Sequence, residues 1–180
     1  MIIVGEAQMV AGAKLDFTID WSERLGGDTL ANGSWATISG LTRISSSISG
    51  DETQVRYTSA NVGAVYLPNV TATFGGGDTP IAAFRLEIVS RIVVQDLALA
   101  TGAVITLDAL PWAGYLEGDA IVGRAWSSSG AGLTITGGGT TATPKVTAAS
   151  TGTWYATEHV TTASGQEDER SIAIVVRGLT

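Results

Sequence analysis

The 180 residues include no cysteine and a single histidine, His159. Without thiols there can be no disulfide framework, no zinc–thiolate site and no cysteine nucleophile. Only 15% of residues are charged, too few for a long solvent-facing helix or a charged disordered chain. Basic residues are the minority, 10 against 17 acidic, for a net charge of −7 and a pI near 4.5. That is the wrong sign for gripping phosphate backbones, so no nucleic-acid partner is expected. No apolar run approaches the roughly 20 residues of a membrane span; Ile92-Val93-Val94 gives way at once to Gln95-Asp96. Residues 1–6 have neither a basic segment nor a long apolar core, so an export signal is not expected. No 3.6-residue periodicity is sustained beyond ten residues. Trp21 to Leu25 has room for one helical turn and no more.

What the chain does have is internal repetition. Trp21, Asp28 and Trp35 return as Trp112, Asp119 and Trp126, with the same spacings of seven. Leu25 returns as Leu116, Leu30 as Ile121, and Gly40-Leu41-Thr42 as Gly132-Leu133-Thr134. A period near 90 residues is long enough for each copy to own a core, so the fold is built twice. The expected division is an N-terminal arm over residues 1–9, a first module over 10–92, a short linker at 93–97 and a second module over 98–180. The linker stretch is poor in glycine and has no proline, so it is expected to be strand-like and to restrict the modules.

Within each copy, side chains alternate with period two. Leu15, Phe17, Ile19 and Trp21 share a face, as do Val70, Ala72 and Phe74, then Phe84, Leu86 and Ile88, and in the second copy Ile172, Ile174 and Val176. Glycine-rich turns punctuate them: Gly26-Gly27-Asp28, Asn32-Gly33, Ser49-Gly50-Asp51, Gly75-Gly76-Gly77-Asp78 and Gly137-Gly138-Gly139. Seven or so short strands per ninety residues predict two tandem immunoglobulin-like β-sandwiches, an all-β protein. Tyr66 and Tyr155 stand where a tyrosine corner would tie its hydroxyl to nearby backbone. Pro111 adds one residue before Trp112, which predicts a bulge near Leu110-Pro111 that restores Trp112 to the core.

Candidates for chemistry are few. Asp28 and Asp119 each follow glycines in a turn, where a carboxylate usually accepts hydrogen bonds from its own turn backbone; catalysis or metal binding is the alternative. His159 has no histidine counterpart in the first copy, and the chain contains no G-x-S-x-G elbow. The triple glycines lack the Lys-Ser/Thr of a phosphate loop. The tryptophans at 21, 35, 112 and 126 pair across the repeat and are read as core anchors. Trp154 is unpaired, either another core residue or an exposed aromatic for a sugar or a subunit. Ile2, Ile3, Val4, Met9 and Val10 precede the first expected strand of the repeat, and apolar residues outside a core need a cover. The expected contact residues are therefore Ile2, Ile3, Val4, Met9 and Trp154, with this arm packing on another chain or completing a sheet edge.

The succession of strand-Trp, Gly-Asp turn, second Trp, Gly-Leu-Thr, G-x-x-Y and a T-x-x-G hairpin before an alternating last strand resembles the β-sandwich modules of tailed-bacteriophage fibre–tail adaptor proteins. The second copy fits better, in Trp154-Tyr155 through Thr161-Thr162-Ala163-Ser164-Gly165 to Arg170-Ser171-Ile172. The first departs in its longer Gly75–Ala82 hairpin and in Pro68. The resemblance implies a non-enzymatic virion protein, made in the bacterial host cytoplasm, that docks fibres or tail parts to the particle. It implies no cofactor, no metal and no catalytic residue. The expected partners are tail, fibre or connector subunits and further copies of the chain, with a glycan as a secondary partner. A capsid decoration protein or a carbohydrate-binding adhesin is the competing reading; an enzyme would need Asp, Glu and His159 gathered in one pocket.

Overall fold

Period-two alternation becomes strand almost throughout the computed structural model, which describes residues 1–112, 116, 119–137 and 141–178. The chain divides into two compact units, Met1–Ser90 and Arg91–Thr180. Unit 1 contains β1 (Ile2–Val10), β2 (Leu15–Asp20), α1 (Ser22–Leu25), β3 (Leu30–Trp35), β4 (Thr42–Ser49), β5 (Glu52–Thr58), β6 (Val65–Tyr66), β7 (Asn69–Phe74) and β8 (Ile81–Val89). Unit 2 contains β9 (Val93–Ala100), β10 (Val104–Thr106), β11 (Ile121–Ser128), β12 (Leu133–Thr136), β13 (Lys145–Ala148), β14 (Gly152–Thr162) and β15 (Glu167–Arg177).

Unit 1 has one sheet in the order β1-β8-β7-β3, with β6 also on β8, and a second in the order β2-β5-β4. The inward faces meet through aromatic rings. Phe17 of one sheet stacks on Phe84 of the other at 4.8 Å, and Trp35 meets Tyr57 and Phe84 edge-on at 6.3 and 6.2 Å. Trp21 is fully buried, edge-on to Phe74 at 6.0 Å, and its indole N–H donates to Thr53 Oγ1 at 3.0 Å. Each such ring removes 150–250 Å² from water (roughly), so a few of them anchor a small sandwich.

Unit 2 repeats the plan, with β11-β14-β15-β9 in one sheet and β10-β13-β12 in the other. Its core is mainly aliphatic: Leu107, Leu133, Val146, Val160, Ile172 and Ile174 are buried around Trp112, with Trp126 and Trp154 packed at the margin. The paired tryptophans are thus core residues, three of them buried and Trp126 half-buried. The expected all-β, immunoglobulin-like class is what the chain adopts.

Two expected boundaries are corrected. The first residues are not a separate arm: Ile2–Val10 form β1, which completes the edge of unit 1's own sheet, pairing in parallel with β8 from Ile2–Ala82 to Val10–Val89. Residues 93–97 are strand-like as expected but are not a linker: they lie in β9 of unit 2, which pairs in parallel with β15. Both strands step out of register at one residue, Val4 in β1 and Val94 in β9. Ile2-Ile3-Val4 and Ile92-Val93-Val94 therefore mark the start of the same strand in the two copies, with Ile92 just ahead of β9. The predicted bulge before Trp112 is also replaced. β10 stops at Thr106, and residues 107–111 leave the regular ladder, which returns Trp112 to the core without one. The single turn expected after Trp21 is α1, ended by Gly26 in the left-handed conformation at φ 57°.

Candidate functional site

The expected contact residues separate into three groups. Ile2, Ile3 and Val4 are 48, 58 and 44% exposed at the start of β1, the outermost strand of its sheet. Met9, on the same strand, is fully buried opposite Ile88. Period two and the bulge at Val4 turn Met9 inward, so it cannot be a contact residue. Trp154 is half-buried: its ring packs against the unit 2 core, and its N–H donates to the Ser150 carbonyl at 3.0 Å. A Cβ at Gly132 would fall 2.1 Å from that ring, and one at Gly130 2.8 Å. The ring is held by a glycine-lined loop and is not a free platform for sugar.

The opening of β1 lies at the end of unit 1 where three connections meet. Trp21 N–H donates to the Asp51 carbonyl at 2.9 Å, joining the β2–β3 and β4–β5 connections. Asp28 joins the first of these to the β7–β8 hairpin: one carboxylate oxygen accepts from Thr29 N–H at 2.8 Å, the other from Gly76 N–H at 2.7 Å. A cleft of about 440 Å³ lies beside β1, lined by Val4, Thr18, Ile19, Asp20, Ser22, Glu23 and Arg24. Asp20, Glu23, Asp51 and Asp78 are exposed around this end, with Arg24 the cation among them.

Asp28 and Asp119 occupy the same place in the two units. Asp119 accepts from Ala120 N–H at 2.8 Å and from Ser164 N–H at 3.2 Å in the β14–β15 hairpin. Hydrogen bonds from the Ser164 and Thr162 side chains hold the Asp119 carboxyl down to about 2. The Gly76 and Thr29 amides lower Asp28 in the same direction. The turn-capping reading is correct as far as it goes, but each carboxylate also reaches a hairpin over 40 residues away. Gly75 and Gly76 are needed for this: a Cβ on either would come within 2.7–2.8 Å of the Asp28 carboxylate.

The acidic run Glu167-Asp168-Glu169 before Arg170 reads in the sequence as a solvated turn, but it lies in β15, where Asp168 and Arg170 belong to a buried charged set. Glu158 is fully buried and accepts from the Trp112 indole at 2.6 Å and from Arg124. Arg170, cross-strand from Glu158, pairs with Asp168 at 2.6 Å and lies over the Trp112 ring at 5.6 Å. Burial pushes the Asp168 carboxyl up, against the opposing pull of Arg170. The pairing frames align Trp126–Glu158–Arg170 with Trp35–Val70–Ala82 of unit 1, and Arg124 with Gly33. The available signal was strand phase: Glu158 shares a face with Ala156 and Val160, and Arg170 with Ile172.

Other candidates fall away or are relocated. His159 is half-buried on the opposite face of β14 from Glu158. Tyr66 does tie its hydroxyl to backbone, but to the Gly40 carbonyl at 2.9 Å, 26 residues upstream. Tyr155 is covered by the Arg91 guanidinium at 3.9 Å. Among the described residues no group of three or more His, Asp or Glu is placed to hold a metal ion. Likewise no helix there is long and apolar enough to cross a membrane. Gly138 and Gly139 of the expected glycine turn lie outside the described residues, as do residues 113–115, 117 and 118 of the second Trp–Asp–Trp segment.

Residues 10–87 match a family model described as podophage GP4 fiber-tail adaptor protein gp77. The resemblance to tailed-bacteriophage fibre–tail adaptors is thereby shown, over the first copy and not the second, which had looked the better fit. No curated protein matches. Among solved structures, the chain is similar to a PKD domain in solution, at 18% identity over 48% of this chain and 83% of that one, TM-score 0.39. It is also similar to the fibronectin(III)-like modules of Clostridium thermocellum CbhA, at 14% identity over 98% and 91% of the two chains, TM-score 0.33. Titin domains Z1Z2 match at 14% identity over 99% and 95%, TM-score 0.32.

Proposed function

We propose that the chain is a non-enzymatic virion protein of a tailed bacteriophage, an adaptor that docks fibres or other tail components to the particle. The observation that carries this reading is the match of residues 10–87 to a fibre–tail adaptor family. The match covers unit 1 from the last residue of β1 onward, and the start of that outer strand leaves Ile2, Ile3 and Val4 open. Docking needs surfaces held at fixed geometry, and the features of this chain serve that end. Asp28 and Asp119 fasten the turns, Tyr66 ties down the Gly40 connection, and the tryptophans fix the cores. The partners are other tail, fibre or connector subunits, and the chain acts in several copies in the particle, after synthesis in the bacterial host cytoplasm. With Trp154 half-buried against its glycines, the adhesin reading loses the exposed aromatic on which it depended.

The test is a phage in which this reading frame is interrupted. Particles are expected to assemble heads and to lack fibres or distal tail parts in electron micrographs, with fibres restored when the chain is supplied in trans. Fully fibred, infectious particles without the chain would overturn the proposal.

A further inference from the structure

The openings of β1 and β9 differ in how far they are covered. Val94 packs against the unit 2 core and Ile92, just ahead of β9, is half-buried, leaving Val93 open at 44%, whereas Ile2, Ile3 and Val4 all stand open. The fold thus does not require all three to be exposed, because its second copy covers two of them. The opening of β1 is β-branched and has no lysine or proline; the step at Val4 and the charge of Glu6 guard it in part, and that charge favours a basic partner. Beside it, the cleft lined by Val4 presents Asp20 and Glu23, both exposed, with Arg24 as the one opposing charge. Asp51 and Asp78, on the connections joined to this end, extend the negative field. Of the other outer strands of unit 1, β4 is exposed throughout but carries Arg43 and a run of serines, with no carboxylate of its own.

We propose that the β1 edge over Ile2–Glu6 takes an extended basic segment of a partner protein as an added strand. Main-chain hydrogen bonds hold the segment to β1, its apolar side chains cover Ile3 and Val4, and its lysine or arginine side chains face Asp20 and Glu23. The proposal rests on the adaptor reading and names the chemistry of its partner.

The experiment is hydrogen exchange on the full chain with a ten-residue peptide of alternating lysine and valine, against one of alternating glutamate and valine. The lysine peptide is expected to slow exchange over residues 2–6, less so at high salt, while residues 93–97 serve as the internal reference and do not change. Glu23→Lys and, separately, Ile3→Lys are each expected to weaken the effect about fivefold, the scale of an exposed charge pair. Both side chains are exposed, and a circular dichroism melt checks each fold. No slowing, equal slowing by both peptides, equal slowing over 93–97, or insensitivity to both variants would overturn the proposal. So would slowing that follows protein concentration without peptide, which would assign the edge to a second copy. A chain absent from fibre attachment that still binds the lysine peptide would defeat the adaptor reading alone; the reverse result would defeat only the strand-addition proposal.

Discussion

The carboxylate of Asp28 receives the amide of Gly76 at 2.7 Å, across 48 residues of chain. This bond fastens the β7–β8 hairpin to the β2–β3 connection beside the β1 edge. Asp28→Ala is expected to leave the unit folded and free the hairpin. Exchange of the Gly76 amide should speed by about tenfold, the scale of one hydrogen bond lost from a folded loop. Unchanged exchange at Gly76 would mean that the hairpin holds its place without Asp28.

The equivalent Asp119 makes an acid-dependent contribution. Its folded value, about 2, lies below the ordinary 3.8. A carboxyl lowered on folding adds stability that is complete above its unfolded value and is lost as the pH falls through the folded one. The stability gap between the native chain and Asp119→Asn should therefore be constant above about pH 5 and close progressively between about pH 5 and 1. Denaturant titrations across that range check it; a gap that persists undiminished at about pH 1 would assign the effect to shape and not to charge.

Much of this architecture is legible because it repeats. The doubled Trp–Asp–Trp spacing and the strand phases are enough to put Trp21, Trp35 and Trp112 in the core, where they lie. β1 escaped because an outer parallel strand buries little: only Met9 and Val10 of it are covered, too few to set an alternating pattern. The signal was present all the same, since Ile2-Ile3-Val4 and Ile92-Val93-Val94 stand one 90-residue period apart. The hairpin ties of Asp28 and Asp119 were not readable, because their partners are backbone amides, which carry no residue signature. The cleft beside Val4 depends on how two edges approach, which periodicity does not encode.

The glycines under Trp154 make a steric prediction. Gly132 is buried, and a Cβ there would overlap the indole at 2.1 Å. Gly132→Ala should cost about 1–3 kcal/mol, the range for forcing an added methyl into a packed site. Pairing it with Trp154→Leu should recover part of that loss, because the smaller side chain vacates the space. Denaturant midpoints of the single and double variants measure the coupling. Additive costs would show that the ring and Gly132 do not compete for the same volume.

The charged interior of unit 2 can be exchanged for that of its sister. Glu158→Val alone leaves the Arg124 guanidinium and the Trp112 indole without their acceptor, a loss of about 3–5 kcal/mol for a broken buried pair. Unit 1 fills the aligned positions with Gly33, Val70 and Ala82 and needs no acceptor there. Arg124→Gly, Glu158→Val and Arg170→Ala together remove both cations with the anion, but would leave Asp168 buried without its partner. Adding Asp168→Ala removes that charge and keeps the backbone N–H opposite Val160, which a proline such as Pro80 of unit 1 would not. The fourfold variant should lose less stability than Glu158→Val alone, because desolvating the pairs offsets much of their attraction. Chemical denaturation of the two variants decides it. If the fourfold variant is the weaker, the charged set contributes net stability to unit 2, and its presence in only one copy reflects packing that the apolar residues of unit 1 cannot reproduce there.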